Sequence, residues 1–209
     1  MTPPVVAVVR TGAANLASVR AALERRGLGV ALTADPAIVR SARLVVLPGV
    51  GSFAPAMASL EASGLGSALR DRVEAGAPLL AICLGLQLLL DGSDEGPGTA
   101  GLGVARGVAR RFTDDVRVPQ LGWNAVDPAA PGLVQPGHAY YANSYRLGES
   151  PDGWDPSWTD HGGRFVAAIQ RGPVLACQFH PELSGPWGAA LLQRWIDAGL
   201  AATEGSLAC

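Results

Sequence analysis

Cys83 lies in Ala81-Ile82-Cys83-Leu84-Gly85, a small-x-nucleophile-x-small pattern whose small flanks permit a strained turn from a strand into a helix. At such an elbow the sulfur stands at a helix N-terminus, where unpaired backbone N–H groups stabilise a thiolate and, during reaction, an oxyanion. Taken alone, the elbow is explained equally well by a small buried residue ending a core strand. A thiol nucleophile also needs a base, and His180 is followed two residues later by Glu182 in Gln178-Phe179-His180-Pro181-Glu182. Pro181 stiffens that step, and residues two apart leave a strand on one side, so the carboxylate can hold one ring nitrogen while the other accepts the thiol proton. The third piece is Pro48-Gly49-Val50-Gly51, in which glycines on both sides of Val50 free its N–H to face a ligand as a second oxyanion donor beside Leu84. Singly, a Gly-x-Gly turn is a tight connection and a His near a Glu is an ordinary pair. Together the three segments predict a catalytic site with Cys83, His180 and Glu182 as its triad and Val50, Gly51 and Leu84 at its oxyanion hole.

The elements that must position these groups follow from the apolar pattern. Val5 to Val9, Val30 to Thr33, Leu44 to Leu47 and Leu79 to Ile82 read as buried strands. Between them, Leu16, Val19, Ala22 and Leu23 form a helical stripe ending near Gly27, and Asp35-Pro36 opens a short helix. Strands alternating with helices predict an α/β fold, a mostly parallel sheet with helices on both faces and active groups at the carboxyl ends of the strands. From Gly92 to Gly163 the chain is rich in Gly, Pro and Trp, with strand-like pieces at Arg117-Val118-Pro119 and His138 to Tyr145. These read as an antiparallel extension of the same domain. Phe165 to Gln170 and Val174 to Phe179 form a hairpin about Arg171-Gly172-Pro173, and a closing helix runs from about Pro186 to Leu200. Residues 1–200 are thus expected to be one domain, with 201–209 as a tail.

Composition excludes several other kinds of function. The 209 residues carry 16 basic and 18 acidic side chains, a formal charge of −2 that gives no cationic field for nucleic acid or an anionic membrane. Every basic residue is arginine, so Schiff-base chemistry and a phosphate loop ending in Gly-Lys are absent. Cys83, Cys177 and Cys209 are few, odd in number and far apart, which argues for a reducing, cytoplasmic setting and against a disulfide framework. The apolar stretch from Pro78 to Leu90 is broken by Gln87 and is shorter than the roughly 18 residues that span a bilayer. No positive charge precedes the first apolar run, so no secretory signal is evident. His138 and His161 lack metal-ligand spacing, no Cys or His arrangement suits zinc, and no dinucleotide fingerprint occurs, so neither metal nor cofactor is expected.

In this order, the elbow, the glycine turn and the late His-Pro-Glu resemble the class I, or triad-type, glutamine amidotransferases, and the resemblance covers nearly the whole chain. Within that family the chain is most similar to the glutaminase subunits of imidazole glycerol phosphate synthase. The signs are Asn15-Leu16, Ser93-Asp94-Glu95-Gly96, Gly101-Leu102-Gly103, Arg110-Arg111-Phe112, Val118-Pro119-Gln120-Leu121-Gly122-Trp123-Asn124 and Tyr141-Ala142-Asn143-Ser144-Tyr145. The resemblance implies that Cys83 attacks the side-chain amide of glutamine, that His180 passes a proton to the departing ammonia, and that Glu182 holds the imidazole. It further implies substrate contacts at Gly49, Gln87, Glu95, Ser144 and Tyr145, with Glu95 suited to the α-ammonium. Ammonia would then pass through a channel to a separate (β/α)8-barrel cyclase subunit of a heterodimer. There it would convert a phosphoribulosyl formimino nucleotide to imidazole glycerol phosphate and an aminoimidazole carboxamide ribotide. A sister glutaminase, such as that of pyridoxal phosphate synthase, and an inactive binding module are the competing readings. The chain departs from the family pattern at Arg10-Thr11-Gly12 in place of Asp-Tyr-Gly, at Leu183 in place of lysine, and at Asn143 where histidine is common.

Overall fold

The computed structural model describes residues 4–10 and 16–205. Its first half is β1 (Val5–Val9), α1 (Leu16–Glu24), β2 (Gly29–Thr33), α2 (Pro36–Ser41), β3 (Leu44–Gly49), α3 (Phe53–Ala62), α4 (Leu65–Glu74), β4 (Leu79–Cys83) and α5 (Leu84–Leu88). The second half is β5 (Gly92–Ser93), β6 (Val108–Arg111), β7 (Gln120–Pro128), β8 (Gly137–Asn143), β9 (Tyr145–Arg146), β10 (Asp155–Asp160), β11 (Arg164–Arg171), β12 (Val174–Cys177), a 3-10 turn (Pro181–Leu183) and α6 (Gly185–Gly205). Nine strands form one sheet in the order β2-β1-β3-β4-β12-β11-β10-β7-β8, and β5-β6-β9 form a small second one.

The alternation of the strands distributes side chains between two cores. Ala7, Val9, Val45, Leu47, Leu79, Ala81 and Ala176 face the side covered by α3 and α4, where Phe53, Met57, Leu60 and Leu69 pack. Their neighbours Val6, Val8, Leu44, Val46, Leu80, Ile82 and Cys177 face the other side, covered by Val19 and Leu23 of α1 and Leu191 and Trp195 of α6. Burial on both faces is why these strands read as continuous apolar runs without a polar face. Asp35 accepts from the Ala37 N–H at 2.8 Å and so caps α2 as its Asp-Pro opening suggests.

The ladders β2–β1, β1–β3, β3–β4 and β4–β12 are parallel. From β11 onward every ladder of the large sheet is antiparallel. The antiparallel part therefore contributes as many ladders as the parallel part, four each, and is larger than an edge extension. The β11–β12 hairpin forms as expected, with Gly172 at φ 58° in its turn and the Trp195 indole donating to the Pro173 carbonyl at 3.1 Å.

Several boundaries differ from expectation, among them that of β12, which ends at Cys177 and not at Phe179, and that of β3, which runs on to Gly49. Arg117-Val118-Pro119 is irregular and the strand starts only at Gln120, because Pro119 has no N–H for a ladder. The single strand expected from His138 to Tyr145 breaks at Ser144, where the chain leaves the large sheet for the small one and the Ser144 carbonyl accepts from Phe112 N–H. The closing helix continues to Gly205, so part of the expected tail is helical, since Ala201-Ala202-Thr203-Glu204 contains no helix breaker. Cys209, Thr11, Gly12 and Asn15 lie outside the described residues. Among the described residues no helix is long and apolar enough to cross a membrane.

One charged residue acts inside the core. Arg72 is 3% exposed and its guanidinium donates to the carbonyls of Pro78, Val39 and Arg43 at 2.9, 2.9 and 3.1 Å. It ties α4 to the segments that lead into β3 and β4, and burial pulls its pKa down to about 10.

Candidate active site

The site begins where β4 ends. Cys83 has φ 54° and ψ −109°, and among the described residues it is the one non-glycine with a positive φ. Such a backbone costs on the order of 1–3 kcal/mol and persists only where its surroundings enforce it. Two glycines make that enforcement possible. A Cβ on Gly85 would run into the Leu47 carbonyl oxygen, and one on Gly49 would meet the backbone nitrogen of Gly85. Bare backbone therefore lets the end of β3 touch the start of α5, with Gly49 in register with Cys83.

His180 arrives from the neighbouring strand. It follows β12, which pairs with β4 so that Cys177 lies opposite Ile82. Its backbone is fixed to β8: His180 N–H donates to the Tyr140 carbonyl at 2.9 Å, and the Ser184 hydroxyl donates to the His180 carbonyl at 2.6 Å while accepting from Tyr140 N–H at 2.9 Å. The Nδ1 of His180 lies 2.9 Å from Oε1 of Glu182, and the two side chains are only 7% and 3% exposed. Burial works against a charged imidazole here. Hydrogen bonds to Cys83 and Glu182, together with their charge, outweigh it and push the His180 pKa up to about 10. The proton therefore rests on the imidazole, between the sulfur and the carboxylate.

Comparisons with known proteins give the family. Residues 12–198 fit the model of the glutamine amidotransferase class-I family. The chain belongs to the class I glutamine amidotransferase family. It is 40% identical over 204 residues to a protein of Herpetosiphon aurantiacus named imidazole glycerol phosphate synthase subunit HisH, covering 96% of this chain and 97% of that one. It is also 40% identical over 208 residues to the Arabidopsis thaliana protein named imidazole glycerol phosphate synthase hisHF, chloroplastic, covering 96% of this chain and 35% of that longer one. A solved structure described as a glutamine amidotransferase superposes with a TM-score of 0.75 at 19% identity, covering 93% of this chain and 98% of that chain, a likeness of fold.

The structure of this amidotransferase brings most of the other expected residues to the same place. Leu84 is the first residue of α5, while Val50 is half-buried and Gly51 is exposed with φ 99°. Gly49 and Val50 share a small cleft with Pro48, His180 and Glu182. Gln87, 4% exposed, donates from Nε2 to the Tyr145 carbonyl at 3.4 Å and to Oε1 of Gln178 at 3.1 Å. Ser144 and Tyr145 are half-buried, and the Tyr145 carbonyl also accepts from Nδ2 of Asn143 at 3.0 Å.

Glu95 also has a part in the fold. Its Oε2 accepts from the Phe53 N–H at 2.8 Å and caps α3, two residues beyond Gly51, where the Ser52 side chain makes no capping bond. Gly49 is fully buried between backbone segments, so its clearest service is to the packing of the elbow. Gln178 carries no role in the sequence motifs, yet it is fully buried and directs Nε2 at the Cys83 sulfur from 3.6 Å. Its position two residues before His180 placed it beside the site, but nothing in the spacing showed which way its amide would face.

Proposed function

We propose that this amidotransferase is the glutaminase subunit of an imidazole glycerol phosphate synthase, hydrolysing glutamine and handing ammonia to a (β/α)8-barrel cyclase subunit. The observation that carries the chemistry is the buried row of Cys83 at its strained elbow, His180, and Glu182 on Nδ1 of the imidazole. The sulfur attacks the side-chain carbonyl carbon of glutamine, and the resulting oxyanion is met by the N–H groups of Leu84 and Val50, with Gly51 giving the turn its freedom. The carbon–nitrogen bond then breaks as His180 gives its proton to the departing nitrogen, so ammonia leaves and a glutamyl thioester remains. Water deprotonated by His180 cleaves the thioester, releasing glutamate and restoring the thiolate with its imidazolium. Glu182 holds the ring through both steps. Gln87, Glu95, Ser144 and Tyr145, with the backbone at Gly49, hold the glutamine. No step in this scheme requires a cofactor or a metal.

The pathway assignment is supported by the relatives named HisH along nearly their whole length and by the longer hisHF relative, of which this chain matches about a third. A docking face beside the site fits a permanent partner. Leu121 and Trp123 on β7 are 59% and 58% exposed, and Leu183, in the turn that carries Glu182, is 39% exposed. Large apolar side chains grouped beside an active site are the usual centre of a protein interface. The reading sets the chain in the cytoplasm, where Cys83 and Cys177 remain free thiols.

Glutamate release from glutamine, measured for the chain alone and with the cyclase subunit and its nucleotide ligand from the same source, tests this. We expect weak hydrolysis alone and strong activation by the full mixture. Activity indifferent to the cyclase would keep the amidotransferase and reject the pathway.

A further inference from the structure

Four side-chain and backbone groups behind the triad form a chain of hydrogen bonds with a fixed direction. It starts at the Tyr145 carbonyl, which can only accept, and which receives Nδ2 of Asn143 at 3.0 Å and Nε2 of Gln87 at 3.4 Å. A primary amide nitrogen has two hydrogens, and the second on Gln87 goes to Oε1 of Gln178 at 3.1 Å. With its oxygen thus occupied, Gln178 must present Nε2 to the Cys83 sulfur, 3.6 Å away. Turning the Gln178 amide over would set N–H against N–H at Gln87 and a carbonyl oxygen against the sulfur. Both amides are buried, Gln178 completely and Gln87 to 4% exposure, so water cannot repair such a mismatch.

We propose that Gln178 is a further catalytic residue, whose side-chain N–H donates to the Cys83 sulfur and stabilises it as a thiolate, and that Gln87 is the positioning residue that fixes which end of Gln178 faces it. This rests on Cys83 being the nucleophile. An N–H donor favours the charged form of the group it meets, and this one approaches the sulfur independently of the imidazole. The remaining groups around the sulfur are His180 with Glu182 behind it, the neutral Cys177 thiol on β12, the α5 N-terminus, and the Ala142 carbonyl of β8 at 4.0 Å, which only accepts. Gln178 is therefore the side-chain donor that complements His180. The network also narrows the part Gln87 plays towards glutamine, since its Nε2 hydrogens are committed and only Oε1 is left for a substrate donor.

Ultraviolet thiolate absorbance of the full chain across pH, less that of Cys83→Ala, reads Cys83 ionisation without any glutamine. Gln178→Met removes the donor at nearly constant volume. It should raise the ionisation midpoint by about one pH unit and, with the cyclase present, lower kcat about tenfold with KM little changed. Gln178→Glu, which places an ionised carboxylate by the sulfur, should raise the midpoint further, and Gln87→Met should raise it less. A pure packing role predicts no shift in any of the three, only lower unfolding midpoints. An unmoved ionisation midpoint in a folded Gln178→Met protein overturns the proposal. Should that variant not fold, Gln178→Glu and Gln87→Met decide, and equal or absent shifts in the two reject it. The nucleophile reading fails by a different result, glutamine hydrolysis that survives Cys83→Ala.

Discussion

The parallel and antiparallel halves of the sheet differ in what they can afford to expose. β1, β3, β4 and β12 are buried nearly throughout, whereas β7 alternates exposed residues with buried or half-buried ones and β8 alternates half-buried with buried ones over most of its length. The parallel half carries the groups that must be held rigidly: the Cys83 elbow, the bare backbone contact of Gly49 with Gly85, and the strand that delivers His180. The antiparallel half grips the triad from outside through Tyr140, and turns Leu121 and Trp123 towards solvent. The catalytic groups thus sit where packing leaves no freedom, and the large exposed apolar side chains where one face remains open.

The largest expected effect breaks the chemistry seated in the parallel half while leaving both halves folded. Cys83→Ala removes the sulfur, and with the cyclase present glutamine hydrolysis should fall by about 10⁴-fold or more while the complex still forms. A glutamate-release assay beside gel filtration of the mixture checks both.

Glycine substitutions compare the halves directly. Gly85→Ala puts a methyl into the Leu47 carbonyl, a backbone atom that cannot step aside, and should cost about 3 kcal/mol of unfolding free energy. Gly122 on β7 has φ 125° but nothing within 4 Å of a Cβ, so Gly122→Ala meets only conformational strain and should cost about 1 kcal/mol. Urea unfolding of the two variants measures the difference. Equal losses would mean that the elbow yields more easily than its buried contacts indicate.

The same division explains what could be read from the sequence. The strands of the parallel half announce themselves because burial on both faces demands unbroken runs such as Leu44-Val45-Val46-Leu47 and Leu79-Leu80-Ala81-Ile82. The elbow and the His-Pro-Glu step are local, so neighbouring residues suffice to place them. The antiparallel half shows in the sequence only as an extension with short strand-like pieces, because its ladders join residues far apart, such as Gln120 with Asn143, through stretches rich in Gly and Pro. Arg72 shows another limit, since no local pattern distinguishes an arginine that clamps three backbone carbonyls from one on a solvated helix face. The capping role of Glu95 and the direction of the Gln178 amide likewise depend on groups brought close only by folding.

A smaller effect concerns the charge at the junction of the halves. His180 is held up to about 10, above the ordinary imidazole value, against burial and through its bonds to Cys83 and Glu182. A raised folded-state value means that this contribution to stability is fully present below the ordinary value near 6.5 and is lost as pH rises through about 10. The His180 ring resonances should accordingly stay constant between about pH 6 and 8 and change only towards the alkaline end. Glu182→Gln removes one of the two supporting charges and should lower that titration by about one unit or more. Ring-proton NMR across pH reads it, and a midpoint that does not fall would detach the carboxylate from the imidazole's charge.

The smallest effect on the chain alone is expected at the open face. Trp123 is 58% exposed and meets Tyr140 edge-on at 6.2 Å, so Trp123→Ala removes little buried contact and should change unfolding free energy by no more than about 0.5 kcal/mol. Its effect on the complex should be much larger. An aromatic residue at the centre of an interface is commonly worth about 2 kcal/mol, which is more than tenfold in Kd for the cyclase subunit. Titration calorimetry with the cyclase, paired with urea unfolding of the free subunit, separates the two quantities. If Trp123→Ala weakens the free chain as much as the complex, the antiparallel half is an extension of the core and the partner binds elsewhere. If only the complex weakens, the open face of β7 and β8 is where the partner docks, and the exposure of Leu121, Trp123 and Leu183 in the lone subunit is a requirement of assembly.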